Sequence, residues 1–170
     1  MADLRFSEGL KVIPLLSPQA FTTAAMDTEY VDMKLNHWAT FLVHFGATTS
    51  DTSDTVTVTV QCSSVSTSAT GDNIPFTYRL SSYFDNDDLG AITAATSDGL
   101  VLTCSSDASV SMSERLLQVS VNADNLPAYK SDGRFLSLVL TPTDAVTAGV
   151  VGVVAVLEPR YPGNDIPSST

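Results

Sequence analysis

The stretch Asn36-His-Trp-Ala-Thr-Phe-Leu-Val-His-Phe-Gly46 is followed, after a polar Thr/Ser/Asp turn, by Asp54-Thr-Val-Thr-Val-Thr-Val-Gln61. An extended chain points successive side chains to opposite faces, so alternation in sequence becomes segregation in space. In the second segment Val56, Val58 and Val60 take one face and Thr55, Thr57 and Thr59 the other. In the first, Phe41, Val43 and Phe45 share a face opposite Trp38, Thr40, Leu42 and His44. Both faces of that strand carry bulk, which predicts a central strand covered on two sides. The two segments together predict an all-β chain with this pair at its core.

The chain has 170 residues, the size of one domain with room for a sizeable core. Hydrophobic residues make up 44% and charged residues only 16%, so Ser, Thr, Asn and Gln must supply much of the surface. Threonine suits pleated, half-buried positions. With 8 Lys and Arg against 19 Asp and Glu, the formal net charge is −11. Such a surface repels phosphate backbones and argues against nucleic-acid binding. The N-terminus shows no basic segment followed by an apolar run, and no stretch approaches the length of a transmembrane helix. The expectation is a soluble protein made in a cytoplasm, with no membrane partner. Cys62 and Cys104 extend apolar alternations, which places both thiols inward. Buried thiols acting as small apolar groups are the simplest reading, with a disulfide between facing strands as the alternative.

Residues 1–28 read as an extended N-terminal arm, because Pro14 and Pro18 break its apolar run. Ile13, Leu15 and Leu16 are too apolar for a free tail, and Leu4, Phe6, Val12 and Phe21 are the other apolar residues of the arm. The arm needs a surface, either its own sandwich or a neighbouring subunit. Residues 29–161 read as the β-sandwich domain and 162–170 as a flexible tail. Glu29 to Leu35 is the expected first strand. Ile74 to Phe84 reads as a strand with Pro75 near its start, and Leu89 to Ala95 as a short helical turn or weak strand. Asp98-Gly99 signals a hairpin leading into Leu100–Cys104. Further strands are expected at Arg115–Val121, Phe135–Pro142 and Ala148–Leu157. Seven or eight strands with no long helix make an antiparallel β-sandwich, jelly-roll-like, or else a closed barrel.

No nucleophile elbow, Walker loop, dinucleotide fingerprint or His-Glu-x-x-His helix is present. His37 and His44 are the only histidines. His44 reads as a hydrogen-bonded packing residue and His37 as a solvated strand end, so no catalytic, cofactor or metal site is expected. The acidic turn Asp85-Asn-Asp-Asp88 could offer oxygens to Ca²⁺, but its spacing is not that of an EF-hand.

Tyr30-Val31 before Ala39-Thr-Phe-Leu-Val-His-Phe-Gly46, the Val/Thr alternation, and Val156-Leu-Glu-Pro-Arg-Tyr161 together resemble capsid decoration (cement) proteins of tailed bacteriophages. That resemblance implies a non-enzymatic virion protein on the outer capsid surface. Its partner would be the major capsid protein, and it would act as a homo-oligomer, with a trimer plausible. The arm residues above, with Arg160 and Tyr161, would then be the partner-binding set. The competing class is a carbohydrate- or surface-binding sandwich module, for which Tyr78, Tyr83 and Phe84 are the local aromatic candidates.

Overall fold

A computed structural model describes residues 9–48, 54–66, 71–81, 89–104, 111–143 and 149–160. The strands are β1 (Lys11–Ala20), β2 (Met26–Asp27), β3 (Val31–Asp32), β4 (Asn36–Phe45), β5 (Thr55–Ser63), β6 (Asp72–Ile74), β7 (Phe76–Leu80), β8 (Thr93–Ala95), β9 (Leu100–Thr103), β10 (Leu116–Asn122), β11 (Phe135–Pro142) and β12 (Val150–Pro159). A 3₁₀ turn, Ala123–Asn125, runs into a single helical turn α1, Leu126–Tyr129. One sheet has the order β1-β12-β4-β10-β7-β8 and the other β2-β11-β5-β6, with β3 also on β11 and β9 also on β5. The pairings between these strands are antiparallel. The fold is an all-β sandwich, as the alternations predict.

The core lies between the two sheets. Phe41, Val43 and Phe45 from β4 and Leu117 and Val119 from β10 are fully buried, as are Val56, Val58 and Val60 from β5 and Leu136, Leu138 and Leu140 from β11. Burying each such side chain is worth about 1.5–3 kcal/mol relative to leaving it in water. The opening pair of segments does supply a central strand to each sheet, but β4 and β5 do not pair with each other. β4 lies between β12 and β10, whereas β5 lies between β11 on one side and β6 and β9 on the other.

Several expectations change. The first strand is β1, inside the expected arm, and the boundary at residue 28 falls within the sheets, since β1 and β2 are both hydrogen-bonded into them. Pro14 and Pro18 are accommodated because β1 is an edge strand, where a missing donor need not break a ladder. Its register against β12 also slips between Pro14 and Leu16 and again between Leu16 and Gln19. These irregularities let the chain keep its pairing past both prolines. The expected Glu29–Leu35 strand shrinks to the two residues of β3.

The expected strand from Ile74 is cut at Pro75: β6 before it belongs to one sheet and β7 after it to the other. A chain that switches sheets makes a corner of the sandwich. Asp98-Gly99 likewise closes no hairpin, because β8 pairs with β7 and β9 with β5. The turn is real, with Gly99 N–H donating to Thr96 O at 3.1 Å and φ of +93° at Gly99, but it carries the chain between sheets.

Candidate docking and binding face

The outward face of the sheet β1-β12-β4-β10-β7-β8 carries a band of exposed and half-buried side chains. The pairing sets its rows. Val12, Val156, Thr40, Ser120 and Thr77 lie across β1, β12, β4, β10 and β7 in one row, and Pro14, Val154, Leu42, Gln118 and Arg79 in the next. Trp38 lies between Glu158 and Asn122 in a third. Facing residues alternate with the buried set, so Thr40, Leu42, Val154 and Val156 are half-buried while Val12 is 51% exposed. The face is divided chemically: β1, β12 and β4 contribute mostly aliphatic groups, whereas β10 and β7 contribute hydroxyls, an amide and a guanidinium.

Trp38, 38% exposed, stands at that division. A cleft of about 260 Å³ on its aliphatic side is lined by Leu10, Thr40, Val156 and Glu158, and two adjoining clefts lie on its polar side. The first, about 300 Å³, is lined by Trp38, Thr77, Arg79, Ile92, Gln118 and Ser120 among others. The second, about 230 Å³, shares Trp38, Thr77 and Ser120 and adds Asn122, Asn125 and Tyr129. A hydroxyl ladder forms their floor: Thr40 Oγ1 and Ser120 Oγ are 3.4 Å apart, and Thr77 Oγ1 donates to Ser120 O at 3.3 Å. Arg79 Nε is buried and finds no acceptor among the described residues.

At one end of the sandwich another cleft, lined by Lys34, Arg134 and Arg160 beside Met33 and Leu126, gathers three cations. Two of them are already engaged. Arg134 bonds Asp32 through Nε at 2.8 Å, and this guanidinium holds the Asp32 carboxyl below its usual range, against the opposing effect of burial. Arg160 donates to Asn36 O at 3.2 Å and to Asp124 Oδ1 at 3.1 Å. This end is knitted to itself.

No protein-family model matches the chain, and no curated protein does. Among solved structures, a match is found to a chain of "Structure of infectious bursal disease virus Gt strain", at 12% identity and a TM-score of 0.24. It covers 88% of this chain and 41% of that one, so this chain spans less than half the length of its match. A superposition so slight carries no argument about this protein.

The expected partner-binding residues are dispersed. Leu15 and Phe21 are buried in their own sandwich, Phe21 stacked on Phe45 at 6.3 Å. Ile13 and Leu16 pack partly against the same core, leaving Val12, 51% exposed, the most exposed apolar residue of the set among the described residues. Arg160 is occupied at the sandwich end. Leu4, Phe6 and Tyr161 lie outside the described residues, as do Tyr83, Phe84, the Asp85–Asp88 turn and the tail. Tyr78 packs partly against the core and also lines the first cleft.

Trp38, Gln118, Asn125 and Tyr129 are residues that the sequence reading missed. Trp38 was expected in the core because both faces of its strand are bulky. The signal available was the hydroxyl and amide content of the facing positions, Thr40, Gln118 and Ser120, which marks that side as wet. His44 shares this face and is exposed rather than packed. His37 Nδ1 lies 3.7 Å from Asp124 Oδ2, both half-exposed at the strand end. Cys62 and Cys104 are buried and not disulfide-bonded. Among the described residues no three His, Cys, Asp or Glu side chains gather as a metal site, and no helix is long and apolar enough to cross a membrane.

Proposed function

We propose that this protein is a non-enzymatic structural component of a virus particle, docking on the assembled shell and holding neighbouring subunits together. The observation that carries the docking half is the aliphatic strip Val12, Val154, Val156 and Leu42, continuous across β1, β12 and β4 and facing outward. Strands in a sandwich need only one apolar face, so a second one asks for a partner. The virion half rests on the resemblance of the Ala39–Gly46 and Val156–Tyr161 segments to decoration proteins. The partner is the major capsid protein. A protein that binds only the assembled lattice stabilises it by linkage, and several copies, as in a trimer, would add avidity.

The test is co-sedimentation with genome-free expanded capsids. The double variant Val12→Asp/Val156→Asp places two desolvated charges in the strip and should lower occupancy tenfold or more, with the sandwich intact by circular dichroism. Undiminished binding by that variant would remove the strip from the docking surface. No binding by the unaltered protein would end the virion reading.

A further inference from the structure

We infer that the polar half of the same face, the two clefts around Trp38, is a binding site for a pyranose-containing oligosaccharide. This goes beyond the docking reading and uses different side chains. A pyranose ring has C–H faces that are apolar and a rim of hydroxyls that both donate and accept. The first property asks for an exposed, flat aromatic surface. Trp38 supplies one between the clefts, and Tyr129, 46% exposed, supplies another in the second.

The second property asks for side chains that donate and accept in the same place. Gln118, Asn122 and Asn125 carry such amides, and Thr77 and Ser120 add hydroxyls along the floor. Asn125 stands at the start of α1 yet makes no capping bond there, so its amide is not spent on the helix. Asn122 has its oxygen committed to Asp124 N–H at 2.8 Å, which leaves its amine to donate.

Charge excludes other occupants. The chain has a net charge of −11, yet among the described residues no carboxylate lines either cleft. A basic peptide would gain nothing there, and a nucleic acid would face a repulsive protein with one arginine to offer. That arginine, Arg79, lines the first cleft, and its buried Nε finds no acceptor among the described residues. A proline-rich peptide would use the aromatic rings but brings chiefly carbonyl acceptors, leaving the oxygens of Gln118 and Asn125 unmatched. With the first cleft at about 300 Å³, the site sits at the small end of ligand pockets, the size for one or two sugar units at a time.

Trp38 is the one tryptophan in the chain, so emission excited beyond the absorption of the five tyrosines reports on this site. The full chain is titrated with cellohexaose, maltohexaose, chitohexaose and tetragalacturonate, and with a proline-rich decapeptide as the competing ligand. At least one sugar should give a saturable change, weakened tenfold or more by Gln118→Ala and by Asn125→Ala, both surface substitutions. Val12→Asp should leave it unchanged, which separates this site from capsid docking. A response to tetragalacturonate alone supports the site with Arg79 as the carboxylate's partner. No saturable response to any of the four sugars overturns the inference, as does an undiminished response in the double variant Gln118→Ala/Asn125→Ala. Saturation by the decapeptide without any sugar response overturns it in favour of a peptide groove.

Discussion

Gly133 shows how closely single residues are constrained. A Cβ built there would collide with Cys62 Sγ and come within 3.0 Å of Lys130 O. Cys62 is fully buried, and burial pushes its thiol up, so the sulfur sits protonated and inert against the backbone. Gly133→Ala should therefore destabilise by about 1–3 kcal/mol through overpacking. Removing the sulfur as well should recover part of that loss, so Gly133→Ala/Cys62→Ala should fall short of the summed single effects by about 0.5 kcal/mol or more. The carbonyl of Lys130 remains close, which keeps the rescue incomplete. Urea denaturation of the four proteins measures the coupling, and strict additivity would show that the sulfur is not what excludes a side chain. The same residue scale explains Trp38. Bulk alone does not tell a core aromatic from an exposed one; its cross-strand neighbours, Asn122 and Glu158, do, and they become neighbours only once the register is known.

At the scale of elements, the alternating segments were legible because a period of two with Val, Leu and Phe has one physical solution, a half-buried strand. β4, β5, β10, β11 and β12 all come from such runs. The strand β1 was hidden by Pro14 and Pro18, whose meaning depends on whether the strand is at an edge, a fact of topology rather than of local sequence. Pro75 and Asp98-Gly99 mislead for a related reason: each turns the chain as expected but delivers it to the other sheet. The expected arm is consequently an element of the sandwich. Deleting residues 1–21 should remove the edge strand on β12 together with the buried Leu15 and Phe21, about 1.5–3 kcal/mol for each of those side chains. At roughly 2–4 °C per kcal/mol for a chain of this size, the melting temperature should drop by about 6 °C or more. The exposed edge of β12, rich in valine, should also make the truncated protein prone to aggregation. An unchanged melting temperature would mean that β1 contributes nothing to the sandwich.

The whole molecule combines a wide apolar interior with a net charge of −11 and a sequence isoelectric point near 4.2. Self-repulsion at neutral pH keeps such a surface apart from its copies, an advantage for a protein that carries an outward aliphatic strip. As pH falls toward the isoelectric point that repulsion disappears, while the carboxylate pairing that supports the fold has not yet been lost. Asp32 is the resolved case: Arg134 depresses its pKa below the ordinary value of 3.8. A depressed carboxyl contributes stability that is fully present above its unfolded value and is lost as pH falls through the folded one, so this contribution fades only below about pH 3.8. Association should thus precede unfolding on acidification. Light scattering should rise near pH 4 while far-ultraviolet circular dichroism stays native, with the sandwich signal declining only at lower pH. Asp32→Asn removes the depressed group and should flatten the decline of stability below pH 3.8. Because Asp32 and Arg134 are both partly exposed, solvent screening makes that change small at neutral pH. Simultaneous loss of native signal and onset of scattering would show instead that acid association proceeds through the unfolded chain and not through the aliphatic strip.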